Sequence, residues 1–574
     1  MEVANGIRVA YEERSDFMIV ALTGRTGSGC STTADLMCRE FSELDVSVDV
    51  DQPNDIENRK HLIIRDFAQV NWRPFQKITV STVILSYLLE VAWDELRYFL
   101  SELNAVDSQL MQLEEILAEL HADADYKSFY SAIVLGQKDR QLRVAAWRFY
   151  KNRLAPAADR IRETLSYVYV PVFQSLGDNI RCSGTVLSSS IEQTKLFSLI
   201  QRVKRLAKSA FYSDRDANVM STRIVIDAIR NPLELVYLRD QIAALYAIAI
   251  TAEDEERKAR LATKGISNPD IQAIDNKEYS KKALRSYSEF VSQNIKDCIQ
   301  KSDIFIENPG SMATRNESIK KLKRQLLRYV SLMLRPGLVT PTREERCMQL
   351  AFVAKLNSGC ISRQVGAAIA DRDYSIKAVG WNDVPKGQIS CLLRDARSLL
   401  GPGDAEAFSD YEKNDVGLRD HLSSILVNRE SLHRSEGLAC PFCFKDAYNH
   451  VTSGPTEKKD NQVHTRALHA EENAFLQLAR QGNSGISGGV LYTTASPCEL
   501  CSKKAYQLGI TVIYFVDPYP GISATHVLAS GTSRPKLQLF SGATGHAYHR
   551  LYESILPVKD ELLARLSGLA STAD

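Results

Sequence analysis

Residues 490–501 read VLYTTASPCELC. Residues 489–494 (GVLYTT) are of strand-forming type, and Pro497 stands where a following helix would begin. Cys498 and Cys501, in a C-x-x-C spacing, then fall on the first turn of a helix over 498–508 (CELCSKKAYQL). Upstream, His469-Ala470-Glu471 opens another helical pattern, 469–480 (HAEENAFLQLAR), with Ala470, Phe475, Leu478 and Ala479 apolar among polar residues. Residues 511–516 (TVIYFV) form a second buried strand. This order places two helix starts, each bearing metal-ligand residues, against one sheet. His469, Cys498 and Cys501 offer zinc three ligands. A structural zinc would be closed by a fourth protein ligand, whereas a catalytic one keeps that position for water. The pKa of such a water falls from about 15.7 to about 7. The start of the second helix favours the Cys498 thiolate. Glu471, two residues from His469, is no ligand in this set; it stands where a carboxylate can take the proton of that water and pass it to a leaving group.

The chain has 574 residues, more than one hydrophobic core usually serves. Lys and Arg number 71 against 70 Asp and Glu, for a net charge of +1. That excludes a global basic footprint for nucleic acid, while leaving local patches open. The N-terminus (MEVANGIRVAYEERSD) has no apolar signal region, and the longest strongly apolar run, 242–252 (IAALYAIAITA), is too short to span a bilayer. No membrane association is expected. Eleven Cys, several at ligand-like spacing, fit reduced thiols and a cytoplasmic location better than a disulfide framework.

The N-terminal half carries a second organised motif. Residues 17–22 (FMIVAL) form a buried parallel strand, and 33–41 (TADLMCREF) a helix. Between them lies Thr23-Gly24-Arg25-Thr26-Gly27-Ser28-Gly29-Cys30-Ser31-Thr32, in the strand, Gly-rich turn, helix context of a P-loop. Gly24 and Gly29 keep the G-x-x-x-x-G spacing. Thr26, Gly27, Ser28, Gly29, Cys30, Ser31 and Thr32 would line a nucleotide's phosphates, with Ser31 as the hydroxyl that meets Mg²⁺. The lysine of a working P-loop is Cys30 here, which favours nucleotide binding over phosphoryl transfer. A Gly-rich turn without a ligand is the other reading.

Residues 222–238 (TRIVIDAIRNPLELVYL) place Asp227 at a strand's end, the Walker-B position for Mg²⁺. This segment resembles the P-loop nucleotide and nucleoside kinases. Arg257 and Arg260, in 254–260 (DEERKAR), stand at the lid position of that group, or else on a solvated helix face. Residues 303–307 (DIFIE) form a last strand, and 93–169 a helical insertion, read as a partner surface or a cap.

Residues 320–334 (KKLKRQLLRYVSLML) form a basic amphipathic helix, read as a connector packed by its Leu face or as a nucleic-acid contact, and Arg335-Pro336-Gly337 breaks it. A new unit begins at Thr340-Pro341-Thr342, with a hairpin over 364–371 (QVGAAIAD) and 374–381 (YSIKAVGW) ending in Gly380-Trp381-Asn382. H-x-E followed by P-C-x-x-C is the signature of zinc nucleobase deaminases. With the Pro-Thr start, the Val-Gly-Ala strand and the Gly-aromatic-Asn turn, residues 338–516 closely resemble the deoxycytidylate deaminase family.

Joined to the P-loop half, the architecture resembles bacterial anti-phage deoxycytidine nucleotide deaminases. The resemblance implies an α/β protein in two parts. Residues 1–330 would be a P-loop NTPase/kinase-like three-layer domain with a parallel sheet and the helical insertion. Residues 331–574 would be a cytidine-deaminase-like α/β/α domain. It further implies a substrate contact at Asn382, which is otherwise a turn residue, and homo-oligomers. Cys360 and Cys391 correspond to positions that help hold a second, structural zinc in some relatives. Cys440, Cys443, His450 or His464 could complete it; free thiols are the other reading. Arg363 is either a phosphate contact or a surface arginine.

The function expected is zinc-dependent hydrolytic deamination of free dCMP and/or dCTP, depleting the pool in antiviral defence. The P-loop half would bind a regulatory nucleotide, and a protein or RNA inhibitor fits the same picture. The alternatives are a polynucleotide cytosine deaminase and a bifunctional kinase–deaminase. The neutral charge, and the lack of an aromatic-plus-basic run beside the zinc motifs, speak against the first. Cys30 speaks against the second.

Overall fold

Phe17–Thr23 forms β1, and its alternate residues go to two different cores. Met18, Val20 and Leu22 enter one; Ile19 and Ala21 enter the other. A strand buried on both faces reads as a continuous apolar run, which is why FMIVAL stands out in the sequence. In this computed structural model the described residues are 2–46, 55–279, 286–308, 310, 315–401, 404, 406–454, 464–482, 486–517 and 523–570. They form two compact units, Met1–Pro341 with Ser541–Asp574, and Thr342–Phe540. Among the described residues, no helix is long and apolar enough to cross a membrane.

In the first unit β1 is flanked by β3 (Thr222–Asp227) and β4 (Leu245–Thr251), with β2 (Gln76–Thr79) and β5 (Ile304–Glu307) outside them. These five strands are parallel, in the order β2-β3-β1-β4-β5. Helices Cys30–Met37, Ile56–Asn71 and Arg315–Leu334 cover the face of Val20. The last contains the expected basic helix, and its Leu322, Leu326 and Leu327 are wholly buried, as a packed connector requires. The other face is covered by helices lying between residues 80 and 216. This segment is longer than the expected insertion of 93–169. It is also not an appendage, because it shares one core with Ile19, Ala21, Ile224 and Ile226.

The second unit holds β6 (Gly366–Ala370), β7 (Ile376–Trp381), β8 (Val490–Ala495), β9 (Val512–Asp517) and β10 (Lys536–Leu539), in the order β10-β9-β8-β6-β7. β6 runs antiparallel to both β7 and β8, while β8, β9 and β10 are parallel. Helix Arg343–Ala354 opens the unit with a reciprocal cap, in which the Glu345 amide donates to Thr342 Oγ1 and the Thr342 amide to the Glu345 carboxylate. Two glycines let helices approach the sheet from opposite faces. A Cβ on Gly366 would stand 2.0 Å from the Ala351 carbonyl, and one on Gly380 would stand 2.3 Å from that of Ala470. The Val-Gly-Ala and Gly-Trp-Asn motifs are therefore packing requirements.

The domain boundaries need two corrections. The units divide at 341/342, not at 330/331. Residues 541–574, expected with the second unit, belong to the first. There β11 (Gly542–Ala543) pairs antiparallel with β5, and Ala547 and Leu551 enter the core beneath Val20. Two strand residues carry no periodicity, so no pattern in the chain marks this return. The polar insertion of the second unit also differs from expectation. Residues Leu399, Phe408, Leu418, Leu422 and Phe442 give it a small core of its own. A buried Arg394–Glu412 pair at 2.7 Å lies within it, the guanidinium over both phenyl rings.

Candidate active site

β8 ends at Ala495, and Cys498 takes the N-cap position of helix Glu499–Gln507. Cys501 is then in that helix's first turn. His469 is the N-cap residue of helix Ala470–Arg480, which places Glu471 in its first turn. Both helices share a core with β6, β8 and β9, so their N-termini converge. His469 Nδ1 lies 3.3 Å from Cys498 Sγ and 3.5 Å from Cys501 Sγ. Tetrahedral zinc, with Zn–N near 2.0–2.1 Å and Zn–S near 2.3 Å, would hold such a nitrogen and sulfur about 3.6 Å apart. The three ligand atoms lie within 4.8 Å of one another, and among the described residues this is the one such group that could hold a metal ion. Two thiols and one imidazole are a donor set that zinc favours over hard cations.

The electrostatics agree. Hydrogen bonding from Cys501 leads the causes that pull the Cys498 thiol down to about 4; burial opposes it and His469 adds to it. Glu471 is 4% exposed, and burial pushes its carboxyl up from the ordinary range. The Thr493 hydroxyl, fully buried on β8, lies 3.0 Å from Glu471 Oε1 and 2.8 Å from the Ala495 carbonyl. Three side chains that could hold a metal ion thus stand beside a buried carboxylate held from the strand side. Thr493 is the one member of this group that the motif reading passed over. It lies inside the quoted strand, but pattern alone does not say which face its hydroxyl takes.

Other expected residues fall differently. Asn382 is buried, and its amide bridges backbone: Nδ2 donates to the Arg363 carbonyl at 2.7 Å, and Oδ1 accepts from the Val365 amide at 2.6 Å. Arg363 pairs with the buried Asp517 at the end of β9. Cys360, Cys391, Cys440 and Cys443 do not gather three thiols within ligating reach. Cys391 accepts a long hydrogen bond from Arg394, and the Cys440 amide donates to Asp395. His450 stacks on His421 with centroids 3.9 Å apart, and His464 lies against Tyr448. The insertion also has an apolar core of its own, built around Phe408, Leu418 and Phe442.

In the first unit, residues 24–32 run from the end of β1 into helix Cys30–Met37. Asp227 ends β3 beside the Ser31 hydroxyl, which hydrogen-bonds to it, and burial pushes the Asp227 carboxyl up. Burial likewise pushes Cys30 up to about 12, so this thiol brings no charge to the loop. Arg257 and Arg260 do not wait for a ligand. They donate to loop carbonyls, Arg257 to Thr26 at 3.1 Å and Arg260 to Ser28 at 3.4 Å. Asn308 Nδ2 donates to the Ser28 carbonyl at 2.7 Å. The loop also meets Arg230, which lies in the Arg-Asn-Pro that follows Asp227, and Glu278, which no motif indicated because helix Asn268–Tyr279 brings it from a distant part of the chain.

Residues 341–517 match the family described as "Cytidine and deoxycytidylate deaminase zinc-binding region". The deoxycytidylate deaminase of enterobacteria phage T4 is 27% identical over 174 residues, which are 30% of this chain and 76% of that protein. That of Schizosaccharomyces pombe is 26% identical over 189 residues, 33% of this chain and 41% of that protein. The crystal structure of dCMP deaminase from the cyanophage S-TIM5 matches 35% of this chain and 100% of its own, at 21% identity and a TM-score of 0.20. The match over residues 341–517 and the deoxycytidylate deaminase relatives support an enzyme of the hydrolase class.

Proposed function

We propose that the second unit hydrolyses the 4-amino group of free deoxycytidine nucleotides, dCMP and/or dCTP, releasing ammonia and the deoxyuridine nucleotide. The observation that carries this reading is the buried Glu471 carboxylate beside the convergent His469, Cys498 and Cys501, within the matched region. The phage and yeast relatives, named as deoxycytidylate deaminases, support dCMP as a substrate.

His469, Cys498 and Cys501 would hold zinc, which when bound supplies a Lewis acid that makes water a nucleophile near neutral pH. Glu471 takes one proton from the attacking water and delivers it to ring N3. After water adds at C4, Glu471 carries the second proton to the departing amine. Burial pushes its carboxyl up from the ordinary range, the direction a proton acceptor needs, and Thr493 holds the oxygen that faces β8. Asn382 clasps the Arg363–Val365 backbone just after β7, leaving one amide N–H that, in this reading, meets a sugar or phosphate oxygen.

The first unit, in this reading, binds a regulatory nucleotide with Mg²⁺ at residues 24–32 and Asp227. Support comes from the parallel sheet, the Gly-rich turn at the C-terminal end of its central strand, and the Ser31–Asp227 pair. A neutral Cys30 in place of lysine favours binding without phosphoryl transfer. Homo-oligomerisation and a role in antiviral defence, through depletion of the deoxycytidine nucleotide pool, belong to the same proposal.

The test is ammonia release from the full chain with dCMP, dCTP, CMP, CTP, cytidine or single-stranded DNA, each alone and with ATP or dTTP. Turnover of dCMP or dCTP, altered by ATP or dTTP, is the expected result. Turnover of single-stranded DNA alone would overturn it.

A further inference from the structure

The centre of the Gly-rich loop already holds an anion. Glu278, in the last turn of helix Asn268–Tyr279, is fully buried. Its carboxylate accepts from the Thr26 amide at 2.9 Å and from the Thr26 hydroxyl, and it pairs with Arg230. Arg230 Nη1 also reaches Thr26 Oγ1 at 3.2 Å. A backbone amide, a hydroxyl and a guanidinium, converging between Gly24 and Gly29, are the donors that recognise a phosphate oxygen. One turn earlier on the same helix, Asp275 pairs with Arg25 at 3.1 Å and with the buried Arg257. Two carboxylates on one helix therefore fasten it to the loop and to the helix that grips the loop's carbonyls.

We infer that Glu278 is a built-in competitor for the phosphate of the nucleotide proposed above, occupying the cradle in the nucleotide-free protein and leaving it when phosphate enters. The inference rests on the reading of residues 24–32 as a nucleotide site. A carboxylate and a phosphate cannot share three donors, since like charges at this spacing repel in a buried setting. Binding therefore requires helix Asn268–Tyr279 to release its acidic end. Apparent affinity is lowered by the fraction of molecules in which Glu278 is seated. Arg230 then stands where it can supply the cation that Cys30 does not.

The experiment is equilibrium binding of Mg·ATP, and separately of inorganic tripolyphosphate, to the full-length wild type, Glu278→Gln and Glu278→Ala at fixed ionic strength. Zinc content and the unfolding midpoint verify the fold of each. Both variants should bind at least about tenfold more tightly than wild type, because the competing charge is gone. Equal affinity in all three would overturn the competition and leave the nucleotide site standing. No binding by any of them would overturn both. In the wild type alone, ATP should speed hydrogen exchange in the last turns of Asn268–Tyr279. Bound ATP with unchanged exchange there would also overturn the inference, whether or not the variants fold.

Discussion

The Thr493 hydroxyl and the Glu471 carboxylate meet at 3.0 Å in a site from which both side chains are almost wholly excluded from solvent. The same hydroxyl is 2.8 Å from the Ala495 carbonyl, so its single proton serves one or other of two acceptors, and it holds the carboxylate when it turns to Glu471. A hydrogen bond to a charged group contributes about 1.5–3 kcal/mol. Thr493→Val should therefore lower kcat by roughly 10- to 100-fold with little change in KM, and Thr493→Ser should restore most of it. Steady-state kinetics on dCMP check this, and a kcat unchanged in the valine variant would remove the role.

Glu471→Gln should cost about 10²- to 10⁴-fold in kcat, the range of a lost acid–base group, while leaving zinc in place. His469→Ala or Cys501→Ala should lose the metal and the activity together. Elemental analysis beside ammonia release separates the two classes. A chelator should silence the wild type, and added Zn²⁺ should restore it.

Gly380→Ala tests packing. The added methyl would stand 2.3 Å from the Ala470 carbonyl, in the helix that carries Glu471. Overpacking of this kind costs about 1–3 kcal/mol. We expect a lower unfolding midpoint for the second unit and a fall in kcat, since the helix must move and take Glu471 with it. Alanine at Gly387, where a Cβ meets nothing within 4 Å but φ is +95°, is the comparison for backbone strain alone.

Asp395 tests pH dependence away from the metal. Hydrogen bonding from Arg397 leads the causes that pull its carboxyl from 3.8 to about 2, with burial opposing. A depressed folded-state pKa contributes stability that is present above 3.8 and lost as pH falls through about 2. Asp395→Asn should therefore destabilise the protein by about 1–2 kcal/mol at neutral pH, and the difference from wild type should shrink below pH 3.8 and close only as pH falls through about 2. Denaturant titrations across that window measure it.

The metal site was legible because each of its parts is local. His469 and Glu471 share one helix start, Cys498 and Cys501 another, and the strand between them is a nearly continuous buried run. The five parallel strands of the first unit were legible in part. β1, β3, β4 and β5 are buried runs, whereas β2 has four residues and one buried position. What escaped depends on contacts across long stretches of chain. Asn382 reads as a turn residue or a substrate contact, and its clasp of the Arg363 and Val365 backbone shows only once the chain is folded. Arg257 and Arg260 read as lid residues or a solvated helix face, and their hold on the loop carbonyls is not visible in the local pattern. Glu278 sits about 250 residues from Thr26 and in no motif.

The return of residues 541–574 to the first unit has a consequence for how the protein is made. Translation completes the zinc-bearing unit before it supplies β11 and the helix of Ala547 and Leu551, which the first unit's sheet and core still lack. The portion synthesised first is thus the portion finished last, reversing the usual order in which domains mature on the ribosome. A nonsense lesion just beyond Phe540 would spare every metal ligand, yet leave the earlier-made unit with an open sheet edge, a target for proteases and chaperones.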